Sequence, residues 1–148
     1  TEYVLVHGGF VGGDYWAGTA APLREGDHRV VVADQLPTSG ADAATEVADD
    51  LDVRWRTLCT DVELERVEKS LRAMRPVALA ATAAPSTAPD RLPPATYVVC
   101  ERDQLLSVEA QEMWARRADH VVRLPSRNQS MLSMPDRLAE VLGRITVS

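Results

Sequence analysis

The sequence predicts an α/β fold, a small parallel sheet of about four strands with helices on both faces. Four short apolar runs, YVLVH at 3–7, RVVVA at 29–33, TYVVC at 96–100 and HVVRL at 120–124, alternate with segments of helical period. Such near-continuous apolarity belongs to parallel strands covered on both sides, and the alternation belongs to strand–helix–strand units. At 148 residues and 45% apolar composition, the chain is long enough for one well-buried core and too short for two ordinary ones. Residues 1–148 are therefore read as a single domain.

Each element has its own warrant. The first strand runs into a glycine turn, HGGFVGG, after which Trp16, Ala20 and Leu23 recur at i, i+4 and i+7. That is one stripe of a helix, and Gly26 can end it. The second strand stops at Asp34, and QLPTSGADAATEVADDLD is turn-rich, then acidic and helix-permissive. In TDVELERVEKSLRAM, Thr60 and Glu63 match a capping box, while Leu64, Val67, Leu71 and Met74 form one apolar face. Residues 76–94 are rich in Ala and Pro without a period, the pattern of a surface loop. Ser107 is an N-cap for a helix from about Val108 to Ala118, between the third and fourth strands. In the last helix, Ser133 and Asp136 match a capping box and Pro135 fits the first turn. Leu138, Val141, Leu142 and Ile145 line one of its faces.

Composition narrows the partners. The net charge is −6, with 16 Lys and Arg scattered among 22 acids, so no basic patch exists to displace counterions from nucleic acid or an anionic membrane. No apolar run approaches the length of a membrane span. The expected partner is a small molecule or another protein. Cys59 and Cys100 allow one disulfide, but Cys100 lies in an apolar strand, where a free thiol acts as a small hydrophobe. A reduced, cytoplasmic setting is expected. HGGFVGG does not fit G-x-G-x-x-G, no Lys-Ser/Thr follows it, and Asp34 alone is poor evidence for a ribose site. No cofactor and no metal are expected.

Three segments, YVLVHGGFVGGDYW, TYVVCERD and LPSRNQSMLSMPDRLAEVL, together resemble the α/β hydrolases, closest to the methylesterase and hydroxynitrile lyase branch. The resemblance covers residues 3 to about 50 and about 58 to 148. It implies that Asp103 stands at the triad acid, that Gly9 supplies half of an oxyanion hole, and that His7 matches a histidine bracing the glycine turn. It also implies that about 58–75 is the remnant of a lid. Two departures bear on activity. Between Gly40 and Gly143 there is no glycine, hence no G-x-S-x-G elbow, and Arg127-Asn128 occupies the Gly-His position. A serine hydrolase needs nucleophile, histidine and acid; only the acid is left. With the two central strands lost and the family's order kept, the remaining four should close up as second, first, third, fourth, a flavodoxin-like order.

In such sheets the ligand crevice lies past the carboxyl ends of the strands. Gly8, Gly9, Phe10, Asp34 and Asn128 are thereby ligand-binding candidates, and Asp103, His7 and Tyr15 catalytic ones. Without a histidine, Asp103 either joins a network with Arg102, Arg127 or Asn128, or acts as a general base. His7 is a brace or a proton-transfer group. The glycines at 8, 9, 12 and 13 serve half an oxyanion hole or only a tight turn. Asp14 and Tyr15 give a second acid and a phenol donor, or a helix cap and a half-buried ring. His28 and His120, at strand starts, are surface or structural, and Cys59 has no basic neighbour to make it a nucleophile. One functional reading is a non-hydrolytic biosynthetic enzyme, a cyclase, isomerase or lyase acting by acid–base chemistry on a small, largely apolar substrate. The others are an inactive binder of such a molecule and a regulatory or scaffold subunit of an intact homologue. Loss of the central strands would uncover apolar sheet, so a homodimer is expected.

Overall fold

The chain is described from a computed structural model at residues 1–6, 8, 11–33, 49–75 and 94–145, together with the backbone of 44–45 and 77–78. The elements are β1 (Glu2–Leu5), a 3-10 turn (Gly13–Trp16), α1 (Ala17–Glu25), β2 (Arg29–Val32), β3 (Ala44–Thr45), α2 (Leu51–Leu58) and α3 (Leu64–Arg72). After these come β4 (Val77–Ala78), β5 (Thr96–Cys100), α4 (Val108–Ala115), β6 (His120–Leu124), α5 (Ser130–Ser133) and α6 (Pro135–Arg144). The class is α/β, with the four expected parallel strands and, among the described residues, six helices.

The strands pair as two parallel ladders, β1 with β2 and β5 with β6. Both halves of the expected order are present, but among the described residues no ladder joins β1 to β5. Among the described residues the contact between the two ladders runs through a helix, α6. The Tyr3 hydroxyl of β1 donates to the Leu142 carbonyl of α6 at 3.1 Å. On the same helix Leu138 and Val141 are buried with Leu124, against Val98 and Val122 of the other ladder. A ten-residue helix is about 15 Å long, roughly three strand spacings, so it can tie two ladders together without their touching. A third, unanticipated pairing is the antiparallel bridge of Ala44–Thr45 with Val77–Ala78. The rest of the proposed 76–94 loop, apart from 94, lies outside the described residues.

Side-chain alternation assigns the faces. On β5 and β6, Val98, Val122 and Leu124 meet α6, while Arg123, one residue out of phase, forms an ion pair with Glu112 of α4. That ladder has helices on both sides. On β1 and β2 the Leu5 side is buried, but Val4, Val6 and Val31 on the other side are 63%, 48% and 40% exposed.

Among the helices, α1 buries Ala20 and Leu23 as its stripe requires. Gly26 is its C-cap with φ −77°, and the left-handed conformation falls instead on Asp27 at φ 60°. A short acidic side chain is among the few that tolerate that region. Gly18 is needed for packing, since an added Cβ would lie 3.0 Å from Cβ of Pro135, where α1 crosses the start of α6. Helix α2 was not anticipated. Asp50 caps it, its carboxylate accepting the Asp52 N–H at 2.8 Å, and Leu51, Trp55 and Leu58 meet the apolar face of α3, where Val67 and Leu71 are buried. The Trp55 indole N–H donates to the Val62 carbonyl at 2.8 Å and closes this second core.

Neither capping box forms. Helix α3 begins after Glu63 and α6 after Met134, both without a side-chain cap bond, because the packing of Leu64 and Pro135 sets those starts. Ser107 does cap α4, its hydroxyl accepting the Ala110 N–H at 3.2 Å, though the helix ends at Ala115 and not at Ala118.

Leu71, fully buried between α2 and α3, measures how firmly this layer belongs to the whole. Leu71→Ala is expected to cost about 2–5 kcal/mol in urea unfolding monitored by far-UV circular dichroism. A loss below about 1 kcal/mol would show that the layer unfolds apart from the parallel ladders.

Candidate functional site

Two loops meet at the carboxyl ends of β5 and β6. The Glu101 N–H donates to the Leu124 carbonyl at 2.9 Å and the Arg102 N–H to Ser126 at 3.0 Å, so the ladder continues into both loops. Gln111 of α4, almost wholly buried, clamps this end. Its Oε1 accepts the Cys100 N–H at 2.8 Å, and its Nε2 donates to the Cys100 and Leu106 carbonyls at 3.0 and 2.9 Å. The sequence did signal this residue, since Gln111 falls four positions before buried Ala115 on the inward stripe of α4.

Asp103 sits in the turn after β5, half-buried. Its Oδ1 accepts the Leu105 and Leu106 N–H groups at 2.8 and 3.1 Å, and its Oδ2 accepts the Asn128 amide at 3.1 Å. The Asn128 Oδ1 in turn accepts from Gln129 Nε2 at 2.9 Å. Of the partners anticipated for this carboxylate, Asn128 is the one present; no ion pair joins it to Arg102 or Arg127 among the described residues. Arg127 turns the other way. Its N–H donates at 2.8 Å to Asp61, in the connection between α2 and α3, and its buried guanidinium leaves Nη2 without a hydrogen bond among the described residues. Asp61 is 66 residues away in sequence, and no local pattern marked it.

Tyr15 is fully buried at 1% exposure rather than a half-buried ring, and its hydroxyl has no hydrogen-bond partner among the described residues. Burial pushes the phenol's pKa upward, reinforced by Cys59 and Asp14 and opposed by Arg54. Asp14 itself is exposed. Both cysteines are free thiols. Burial, with the Asp61 carboxylate adding and Arg127 opposing, pushes Cys59 up to about 11, which leaves it protonated and unreactive near neutrality. Cys100 is raised as well, chiefly by burial.

The structure thus brings Asp103 and Asn128 together and places Tyr15 in the wall of a separate groove. Gly8 is exposed, and His7, Gly9, Phe10 and Asp34 lie outside the described residues. His28 packs edge-on against Tyr3 at 5.3 Å, and His120 is exposed at the start of β6. Among the described residues no cluster of His, Cys, Asp and Glu is arranged to hold a metal ion, and no helix is long and apolar enough to cross a membrane.

The shifted thiol gives a pH test. Cys59 titrates near 11 when folded against an ordinary 9.0, so the folded chain keeps a proton that the unfolded chain loses. Its contribution to stability is complete below pH 9.0 and is lost as pH rises toward about 11. Urea midpoints measured across that interval should fall more steeply in the wild type than in Cys59→Ala. Parallel slopes would mean that the thiol reaches water in the folded state.

No family model and no curated protein matches this sequence. Solved structures do match. Polyneuridine aldehyde esterase superposes with TM-scores of 0.80 in a mutant form and 0.78 in another structure. Each is 14% identical, and the matches cover 99% and 98% of both chains respectively. A pyrethroid hydrolase from Sphingobium faniae superposes with a TM-score of 0.64 at 14% identity, over 97% of this chain and 96% of that one. At such identities the likeness speaks for the fold and not for the reaction. The chain has the α/β-hydrolase fold of the esterases it superposes on, built from only 148 residues.

Proposed function

We propose that this chain binds a small, largely apolar molecule at the carboxyl ends of its parallel strands and does not hydrolyse it. The observation that carries this reading is the Asn128–Asp103 hydrogen bond. It stands where the resemblance puts the histidine and acid of a catalytic triad. An amide donates to the carboxylate as an imidazole would, but it cannot take up a proton and return it. The carboxylate accepts three hydrogen bonds, which suits a brace better than a base.

A second reading, an acid–base enzyme of the cyclase, isomerase or lyase type, is favoured by one feature: Asp103 is half-buried in a fixed orientation and not free in solvent. The two readings differ in what Asp103→Asn does. A binder should show altered stability with affinity changed only a few-fold, whereas an acid–base enzyme should lose about 10²-fold or more in turnover of its substrate. Under either reading, a serine-directed phosphonate should label no residue. Stoichiometric labelling of any serine would overturn the non-hydrolytic assignment.

We further propose that the chain is a homodimer, joined through the bare face of the β1–β2 ladder. Val4, Val6 and Val31 lie exposed there, beside the Glu2–Arg29 ion pair at 3.3 Å. That arrangement complements itself, since a two-fold axis can set Glu2 of each copy against Arg29 of the other with the valines between them. Light scattering at micromolar protein should give twice the chain mass, and Val4→Lys should give the mass of one chain. A monomeric wild type would remove the proposal.

A further inference from the structure

In LERVEKSLR of α3, Glu68 holds Arg72 at 2.7 Å, whereas Arg66, Lys69 and Ser70 lie along another side of the helix. That side forms one wall of a groove of about 340 Å³, closed by the 3-10 turn and start of α1 on a second wall and by α5 and Pro135 on the third. Its volume falls within the range typical of small-molecule sites, about 300–1,000 Å³.

Arg66 and Lys69 both line this space and make no ion pair among the described residues. Between the walls the floor is apolar, with Val67 from α3 and Leu132 from α5. Tyr15 also lines the groove. Its ring belongs to the wall, and its hydroxyl lies buried within it without a hydrogen bond among the described residues. Two of the walls are locked together, because Gly18 and Pro135, which both line the groove, meet so closely that a Cβ on Gly18 would collide with the proline. Asp14 is the single acid at the rim. It disfavours doubly charged anions such as phosphate or a dicarboxylate and leaves a single negative charge as the best fit.

We propose that this groove is a binding site for a small monocarboxylate with an apolar body, its carboxylate between Arg66 and Lys69 and its body on Val67 and Leu132. The site shares no lining residue with the Asp103–Asn128 pair, so it stands whether or not the crevice at the strand ends binds or turns over anything.

Octanoate and phenylacetate are the probes, titrated by calorimetry into the whole chain, with octanamide as the neutral control. At least one carboxylate should bind with one-to-one stoichiometry, and octanamide should bind about tenfold more weakly than octanoate. Raising the salt concentration should weaken the carboxylates alone. Arg66 and Lys69 are exposed, so Arg66→Gln and Lys69→Gln leave the fold intact, and the double variant should lose about tenfold or more. The proposal is overturned if neither carboxylate binds at millimolar concentration, if octanamide matches octanoate, or if the double variant binds as the wild type does.

Discussion

Helix α6 is the constraint on which the rest of this structure depends, because it reaches both parallel ladders, between which no strand pairing is present among the described residues. A two-stranded ladder is marginal in water and survives only when a helix covers it. Here one helix reaches both. Leu138 and Val141 are buried with Leu124 on one ladder, and the Leu142 carbonyl takes the Tyr3 hydroxyl from the other. Full burial of a Leu or Val side chain contributes about 1.5–3 kcal/mol, so these three residues supply an amount comparable with the entire net stability of an ordinary domain. Pro135 starts the helix at its first turn and also sets its closest approach to α1 at Gly18.

With the ladders placed, the ends of β5 and β6 follow from local chemistry. Gln111 satisfies both backbone groups of Cys100 from the side, which fixes where β5 stops and where Asp103 begins its turn. The Ser126 carbonyl takes the Arg102 N–H, so the loop after β6 has one register against the loop after β5. Asn128 then comes within reach of Asp103, and Asp61 receives the Arg127 N–H from the opposite side. The second core, α2 against α3, thereby connects to the strand ends through a single carboxylate.

Much of this was legible in the chain. The four apolar runs became the four parallel strands, and the stripes of α1, α3 and α6 face inward as their spacing requires. Helix α2 was legible too, since Leu51, Trp55 and Leu58 repeat at i, i+4 and i+7, but the acidic, turn-rich stretch before it obscured an eight-residue element. Two matches to the S/T-x-x-E pattern gave false helix starts, because the motif is local whereas the first turn is set by what it packs on. The missing β1–β5 ladder had no signature at all. Whether two strands become neighbours depends on the helices between them and the connections available, and neither appears in the periodicity of the strands. Tyr15 was misplaced for a related reason: a tyrosine at the mouth of a helix is half-buried or fully buried according to what lies above it, and here that is α3 and α5.

The carboxylate at 103 has a structural use that its hydrogen bonds define. Its Oδ1 takes the N–H groups of Leu105 and Leu106, which immediately precede Ser107, the residue that caps α4. Asp103 and Ser107 together therefore supply acceptors across the whole turn from strand to helix, where backbone donors would otherwise be unpaired. The second oxygen needs one donor, and Asn128 provides it without introducing a charge that would titrate near neutrality. Position 103 accordingly demands an acceptor that can serve two backbone donors and one side-chain amide in a fixed geometry, and a carboxylate meets that demand with both oxygens. An acid at the end of the third parallel strand is thus used by the turn that it closes, whatever else the crevice does.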